Sequence, residues 1–409
     1  MNKFRSNNGA VNLFDKLIIL VLALQSLGAV GGAFQVVRII AILLMPLGIS
    51  FLLKKTTIRI HYRYEIIFFS FLIIYGFISL IWVINLENGF REVIYITVNA
   101  ILFFLIIYLA NNAKDPYNSI IKGWIFFLLI TIPIALYEIW FNAHLTMSIL
   151  ESDGFVNTGY EIIQRRSASV TFINPNGYVL LLIYAMPFLF SNFLKIGIKK
   201  GFLFLNTIIS FFLIYVILNN ASRGGLLCVF IQLFVLFYFL VKSKSHFFTS
   251  SLLFFLIFFL LIFVFKDSFF MLSNRLGVLG LGDASREDLI YNSLSIFYDS
   301  NFWGVGAGNL QCHLSKISNF LYAPHNLFLE IGVQYGLIIF FLFIGLLLRI
   351  VKKSFQGKDR VNKFIIVSSL LLLPLSSVIN STYISGVNFW LLLASLVIIS
   401  DKYYLKNYG

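Results

Sequence analysis

Arginine and histidine occur in this chain at places where they could do chemistry together. Arg223 stands in Ser222-Arg223-Gly224-Gly225, wedged between two long apolar runs. Arg165 and Arg166 precede the turn-forming sequence Asn174-Pro175-Asn176-Gly177. Arg275 and Arg286 lie in the longest polar interruption, Asp267 to Glu330, which also holds His313 and closes on Ala323-Pro324-His325-Asn326. A guanidinium is planar, permanently charged and bidentate, which suits phosphate or carboxylate recognition. His325 follows Pro324 at the start of an apolar helix, where an imidazole can act as a general base or a hydrogen-bond donor. Glu330 lies five residues on, placed to orient a partner or to neutralise an arginine. The plain alternatives are arginines paired with Glu151, Asp153, Glu161, Asp283, Glu287 or Asp288, and an interfacial histidine with no role.

The elements that must position these residues are membrane spans. The chain has 409 residues, 59% hydrophobic and 12% charged, where a soluble domain carries about 25% charged residues. Apolar runs of 18 residues or more recur, each long enough for a hydrocarbon core of about 30 Å. A β-barrel is excluded, because barrel strands alternate apolar and polar and run only about ten residues. The expected fold is all-α: a polytopic transmembrane helical bundle of about twelve spans, forming a single integral-membrane domain over 1–409. Residues 267–324 form a large extracytoplasmic loop within it. The first apolar stretch, Leu17 to Val30, reads as a retained span rather than a cleaved signal. The two cysteines, Cys228 in a span and Cys312 in the loop, do not form a disulfide framework.

Charge orients the bundle. Of the 31 lysines and arginines, 22 fall on the side that carries both termini. The positive-inside rule makes that side cytoplasmic. The opposite side holds Arg38, Arg91, Arg165, Arg166, Arg223, Arg275 and Arg286, with only Lys266 and Lys316 beside them. Topology asks for charge alone and does not favour arginine over lysine. Arginine on the disfavoured side therefore points to anion recognition at the outer face. The net charge of +14 follows from topology, and nucleic acid is not an expected partner.

Three outer loops carry the chemistry. Asn-Pro-Asn-Gly in the first, 141–174, is strong turn chemistry leading into a helix. The second places Arg223 at the membrane boundary, where a deeply placed charge costs up to about 2.5–3.5 kcal/mol. In the third, Ser285-Arg286-Glu287-Asp288 has the form of a capping box. Ile290, Leu294 and Phe297 follow at helical spacing, so 286–298 is expected as a short amphipathic helix lying on the membrane surface or on the bundle. Arg286 would then sit in its first turn, where free N–H groups favour an anion. The Gly304 to Gly308 run has the composition of a nucleotide-binding loop but lacks the strand–helix context, so it is read as shaping a tight turn. No zinc-ligand spacing is present and no Asp-x-Asp pair stands outside, so a metal-independent reaction without cofactors is expected.

Ser222-Arg223-Gly224-Gly225, Asn174-Pro175-Asn176, Gly304-Val305-Gly306-Ala307-Gly308-Asn309 and Pro324-His325-Asn326 with Glu330 and Gly336-Leu337 form a set over roughly 160–345. In that set the chain resembles the O-antigen polymerase and O-antigen ligase superfamily. The resemblance implies a GT-C-like, metal-independent glycosyltransferase of the bacterial cytoplasmic (inner) membrane. Its donor would be a glycan on undecaprenyl diphosphate at the outer leaflet. Both termini would be cytoplasmic and the active site would face the periplasm or the outside. By the same resemblance Arg223 and Arg286 hold the diphosphate and His325 activates the acceptor hydroxyl. Arg165, Arg166, Arg275, Asn174, Asn176, Asn326 and Glu330 would contact diphosphate or glycan. The implied partners are the lipid-linked oligosaccharide, membrane lipid and a chain-length regulator protein. The polymerase branch extends a lipid-linked repeat unit, and the ligase branch transfers glycan to lipid A-core. The motif set is closer to the polymerases.

A lipid-linked oligosaccharide flippase or other transporter is the alternative of a different class. It is expected to line a central cavity with charge through mid-membrane. Here only Glu138 and Glu330 approach that description, and both lie near the outer end of a span.

Overall fold

The computed structural model describes residues 12–28, 30, 35–47, 49, 61–145, 167–195, 197, 199–220, 222–241, 280–317, 325–357, 359–379 and 383–401. The described residues form helices and connecting turns. In order these are α1 (Leu13–Ala23), α2 (Val36–Leu43), α3 (Arg63–Ser79), α4 (Leu86–Asn112), α5 (Pro116–Phe141), α6 (Pro175–Ser191) and α7 (Lys200–Asn219). They continue as α8 (Arg223–Leu240), α9 (Gly280–Asp299), α10 (Leu310–Leu314), α11 (Leu327–Gln356), α12 (Arg360–Ser376) and α13 (Val387–Ser400).

Among the described residues, six helices are long and apolar enough to cross a membrane: α4, α5, α6 with its extension to Leu194, α7, α8 and α11. The chain is a polytopic helical membrane protein. Hydrocarbon offers the backbone no hydrogen-bonding partner, which is why these segments close their bonds internally as helices. The expected span near 247–266 lies outside the described residues. Phe71, Ile74, Phe204 and Phe341 stand exposed on the outside of the bundle, as lipid-facing side chains do.

Helix starts are set by side-chain caps. Asn85, Asp115, Asn174, Ser222, Asn326 and Asp359 each accept a hydrogen bond from a backbone N–H of the following turn. Each such cap stabilises its helix by about 1 kcal/mol. Packing inside is close. A Cβ on Gly123 of α5 would lie 2.7 Å from Leu22 of α1, so glycine lets these two helices approach, as small residues do between membrane helices. Trp124 stacks on Phe188 of α6 at 5.2 Å. Phe68, Phe69, Phe103 and Trp390 form an aromatic centre joining α3, α4 and α13.

The bundle has two polar ends. At one, Asp15 accepts from the backbone of Lys114 and Asp115 and from Ser119 Oγ. There too, Asp401 meets His61 Nε2 at 3.0 Å and Lys353 Nζ at 2.5 Å, and Arg349 Nε meets Glu65 at 3.1 Å. These contacts tie the ends of α3, α11 and α13 together. The opposite end carries the predicted chemistry.

Two expectations about the long loop are corrected. The helix expected over 286–298 starts at Gly280. Ser285 is therefore interior and not a cap, and Arg286 falls in the second turn, where the argument from free first-turn N–H groups no longer applies. Glycine and aspartate at 280–283 lower helix propensity without forbidding helix, so the capping-box pattern did not mark the boundary. The face turned to the protein is Leu289, Ser293 and Ile296, whereas Ile290 and Leu294 are 37% and 49% exposed. This helix has two adjoining apolar stripes, and periodicity alone cannot say which one meets protein.

Candidate active site

Arg223 is the first residue of α8 and is half-buried. Ser222 Oγ caps the helix by accepting from Gly225 N–H at 3.3 Å. A Cβ at Gly225 would lie 2.7 Å from Val179 of α6, and one at Gly224 would lie 2.9 Å from Ile379. The glycine pair thus seats the first turn of α8 between the start of α6 and the turn that follows α12.

The segment after the twin arginines is pinned beside Arg223's own loop. Asn220 accepts from Ala168 N–H at 2.6 Å and donates to Ala168 O at 2.9 Å. Glu138, at the end of α5, accepts from the N–H groups of Ser169 and Val170, both at 2.8 Å. His144 Nδ1 lies 3.8 Å from the same carboxylate oxygen. Thr171 Oγ1 donates to Ser26 O at 2.5 Å. The Glu138 carboxylate, the Asn220 amide and the Ser26 carbonyl, from three other elements, therefore fix 167–171. Arg165 and Arg166 lie outside the described residues. Asn174 accepts from Asn176 N–H at 2.8 Å and opens α6, so the Asn-Pro-Asn turn leads into a helix as expected.

His325 has φ +46°, in the left-handed region that non-glycine residues seldom occupy. Such strain gathers at functional sites. Asn326 Oδ1 accepts from Phe328 and Leu329 N–H at 3.0 and 3.2 Å, starting α11. Glu330 is buried and accepts from Tyr383 N–H at 3.0 Å and Ile384 N–H at 3.5 Å. It therefore orients backbone in this structure: it holds the turn between α12 and α13, whose other end contacts Gly224. The helix starts bearing Arg223 and His325 thus both contact described residues flanking the α12–α13 connection, Ile379 on one side and Tyr383 and Ile384 on the other.

The glycine run supports this arrangement. Gly304, Gly306 and Gly308 all have positive φ. The α11 helix breaks at Gly336, with φ +76° and ψ 175°. Val305 and Gly306 N–H donate to the carbonyls of Val333 and Gln334 at 2.8 and 3.0 Å, and Leu337 N–H donates to Phe302 O at 3.1 Å. The loop thus supplies partners for the backbone groups freed by the break, as membrane-embedded helix breaks require. Ser79 Oγ accepts from Ala307 N–H, and Asn309 bonds Asn85 in both directions. This is the tight turn expected from the sequence, docked backbone to backbone. The α9 helix, which carries Arg286, packs over the first half of α11 through Phe297 and Gly332. Arg275 and the side chain of Arg286 lie outside the described residues. His313 is half-buried, and burial with Lys316 nearby holds its imidazole below the ordinary range.

The structure reveals a polar cluster that the sequence reading missed. Arg38 lies 4.1 Å over the Tyr95 ring and donates to Ser385 O at 2.7 Å. Asn99 Nδ2 donates to the carbonyls of Ile384 and Ser385, both at 3.2 Å. Tyr335 Oη donates to Glu92 Oε1 at 3.4 Å. The expectation that only Glu138 and Glu330 bring charge into the spans is therefore corrected, since Arg38 and Glu92 lie within α2 and α4. The signal was legible: Asn88, Glu92, Tyr95 and Asn99 recur at helical spacing. α4 begins at Leu86, ahead of Glu92, so the stripe runs within the helix. Arg91 makes an exposed ion pair with Glu87 at 2.7 Å, so for that arginine the plain alternative holds.

Comparison with known proteins bears on the family. The family described as O-antigen ligase matches residues 208–344, the stretch that carries Arg223, α9, the glycine run and His325. In that stretch the chain is similar to the O-antigen ligase family. The chain is also 23% identical over 357 residues to the teichuronic acid biosynthesis protein TuaE of Bacillus subtilis (strain 168), covering 81% of this chain and 70% of that protein. No solved structure matches.

Proposed function

We propose that this protein is a surface-polysaccharide polymerase of the O-antigen polymerase and ligase type, joining repeat units carried on undecaprenyl diphosphate at the outer face of the cytoplasmic membrane. The observation that carries the reading is that the helix starts bearing Arg223 and His325 both pack on the residues flanking the α12–α13 connection, Ile379 on one side and Tyr383 and Ile384 on the other, at one end of a membrane bundle. A polyprenyl diphosphate leaves readily once its charge is held. The protein then needs cations at the diphosphate, a base at the acceptor hydroxyl and correct positioning. Arg223 supplies a cation and the helix starts supply N–H groups that favour an anion. His325 takes the proton of the attacking hydroxyl. Arg165, Arg166, Arg275 and Arg286 add cations, and the apolar spans accommodate the lipid tail. In this reading the termini are cytoplasmic, no metal takes part, and a chain-length regulator sets polymer size.

The ligase reading is favoured by the description of the matching family. One experiment separates the two: a gel of surface polysaccharide from a strain lacking this chain. In a strain that makes lipopolysaccharide, lipid A-core bearing a single repeat unit supports the polymerase. Bare core, with polymer retained on undecaprenyl diphosphate, supports the ligase. In a host without lipopolysaccharide, where the polymer would be capsular or of the teichuronic type, the polymerase reading expects single repeat units on the lipid. Unchanged polysaccharide contradicts both. Activity is expected to survive EDTA, and a loss restored by Mg²⁺ contradicts the metal-independent step.

A further inference from the structure

Glu92 is a carboxylate in a membrane span for which the proposed transfer has no use. It sits two turns into α4, partly buried. Asn88, Glu92, Tyr95 and Asn99 form a polar stripe about 16 Å long at 1.5 Å per residue, half the depth of a hydrocarbon core. Ionisable groups in spans are costly and mark ligand paths by default.

The other polar groups around it are occupied. Arg38 is committed to Ser385 O and the Tyr95 face. Glu330 is committed to the amides of Tyr383 and Ile384, and Asn99 to the carbonyls of Ile384 and Ser385. Among the described residues, the only hydrogen bond to the Glu92 carboxylate is the long one from Tyr335. Glu330 and Arg38 lie close enough to Glu92 to interact with it electrostatically. A Cβ at Gly308 would lie 3.0 Å from Glu92 Cβ, so the docked glycine loop lies against this residue. A bare cation is disfavoured by Arg38, and a diphosphate by two carboxylates. A neutral, hydroxyl-rich ligand fits, because a carboxylate accepts from two hydroxyls at once.

We propose that Glu92, steadied by Tyr335, is a sugar-recognition subsite that binds hydroxyl groups of the lipid-linked glycan. The subsite adjoins the turn shared by the Arg223 and His325 helices and rests on the polymerase or ligase reading of that site. Glu92 selects for a glycan on the lipid and does not hold the diphosphate.

The test uses the full chain in lipid nanodiscs with two probes: undecaprenyl diphosphate, and the lipid-linked repeat unit extracted from a strain lacking this chain. The readout is the ratio of their affinities, which a general loss of folded protein leaves unchanged. The wild type is expected to prefer the glycan-bearing lipid. Glu92→Gln is expected to lower that preference about tenfold while leaving affinity for bare undecaprenyl diphosphate unchanged. Tyr335→Phe, which removes only a hydroxyl, is expected to move the ratio the same way by a smaller factor, and it decides the matter if Glu92→Gln cannot be purified. A wild-type preference that survives in the variants overturns the subsite and leaves the proposed function standing. Equal wild-type binding of both probes does the same. Binding of neither probe overturns the proposed function and this inference with it.

Discussion

At the scale of single residues, several groups singled out by the sequence hold backbone. Asn174, Ser222 and Asn326 cap the helices that begin at the site, and Glu330 holds the turn between α12 and α13. If Arg223 binds the diphosphate and His325 activates the acceptor, Arg223→Ala and His325→Ala are expected to abolish polymer while immunoblots of the membrane fraction show normal protein; normal polymer in both variants removes the site assignment. Arg223→Lys keeps the charge but loses the planar fork. It should retain only a minor part of polymer synthesis, and full activity would leave a charge count as sufficient. Glu330→Ala is expected to act differently. It leaves two buried N–H groups unpaired at about 1–3 kcal/mol each, so its melting temperature in detergent should fall along with activity.

At the scale of elements, the break in α11 and the loop docked on it form one unit. Gly336 has φ +76°, and a Cβ there would lie 2.4 Å from Trp303 O. Gly197 has φ +80°, and nothing within 4 Å would meet its Cβ. Gly336→Ala is expected to lower stability by several times the roughly 1 kcal/mol of backbone strain that Gly197→Ala introduces. Paired thermal melts in detergent measure this, and equal shifts would mean that the loop is not tightly docked. At the other end of the bundle, Asp401→Asn leaves Lys353 and His61 beside a buried site without its anion. Breaking such a pair from one side costs about 3–5 kcal/mol. Guanidinium or thermal unfolding should show that loss, with little change in the affinity for undecaprenyl diphosphate.

At the scale of the whole molecule, helix direction and the contacts at each end sort the chain into two polar faces. The proposed orientation puts α9 outside and the α4–α5 connection in the cytoplasm. In a chain with Cys228 and Cys312 replaced by alanine, a cysteine introduced at Asp299 is expected to react with a membrane-impermeant maleimide in intact cells. One introduced at Lys114 should react only after permeabilisation. Both positions are exposed in the folded chain, so the reverse pattern would place the candidate site in the cytoplasm.

The sequence by itself determined the class of fold. Apolar runs of bilayer length leave helices as the only way to close the backbone in lipid, and composition alone carries that message. It also marked helix starts wherever a cap or a turn acts within a few residues, as at Asn174, Ser222 and Asn326. Single-element patterns failed at α9, where two apolar stripes adjoin and only a neighbour can choose between them. Three features were left to the tertiary structure: the docking of the glycine loop on the Gly336 break, the Asn220 and Glu138 anchors on 167–171, and the Arg38–Glu92 cluster. Each joins residues far apart in the chain through hydrogen bonds whose partners lie on other helices. Local sequence carries the preference of a segment for helix or turn. Which buried donor meets which acceptor depends on how the helices pack, and that is settled only when the bundle closes.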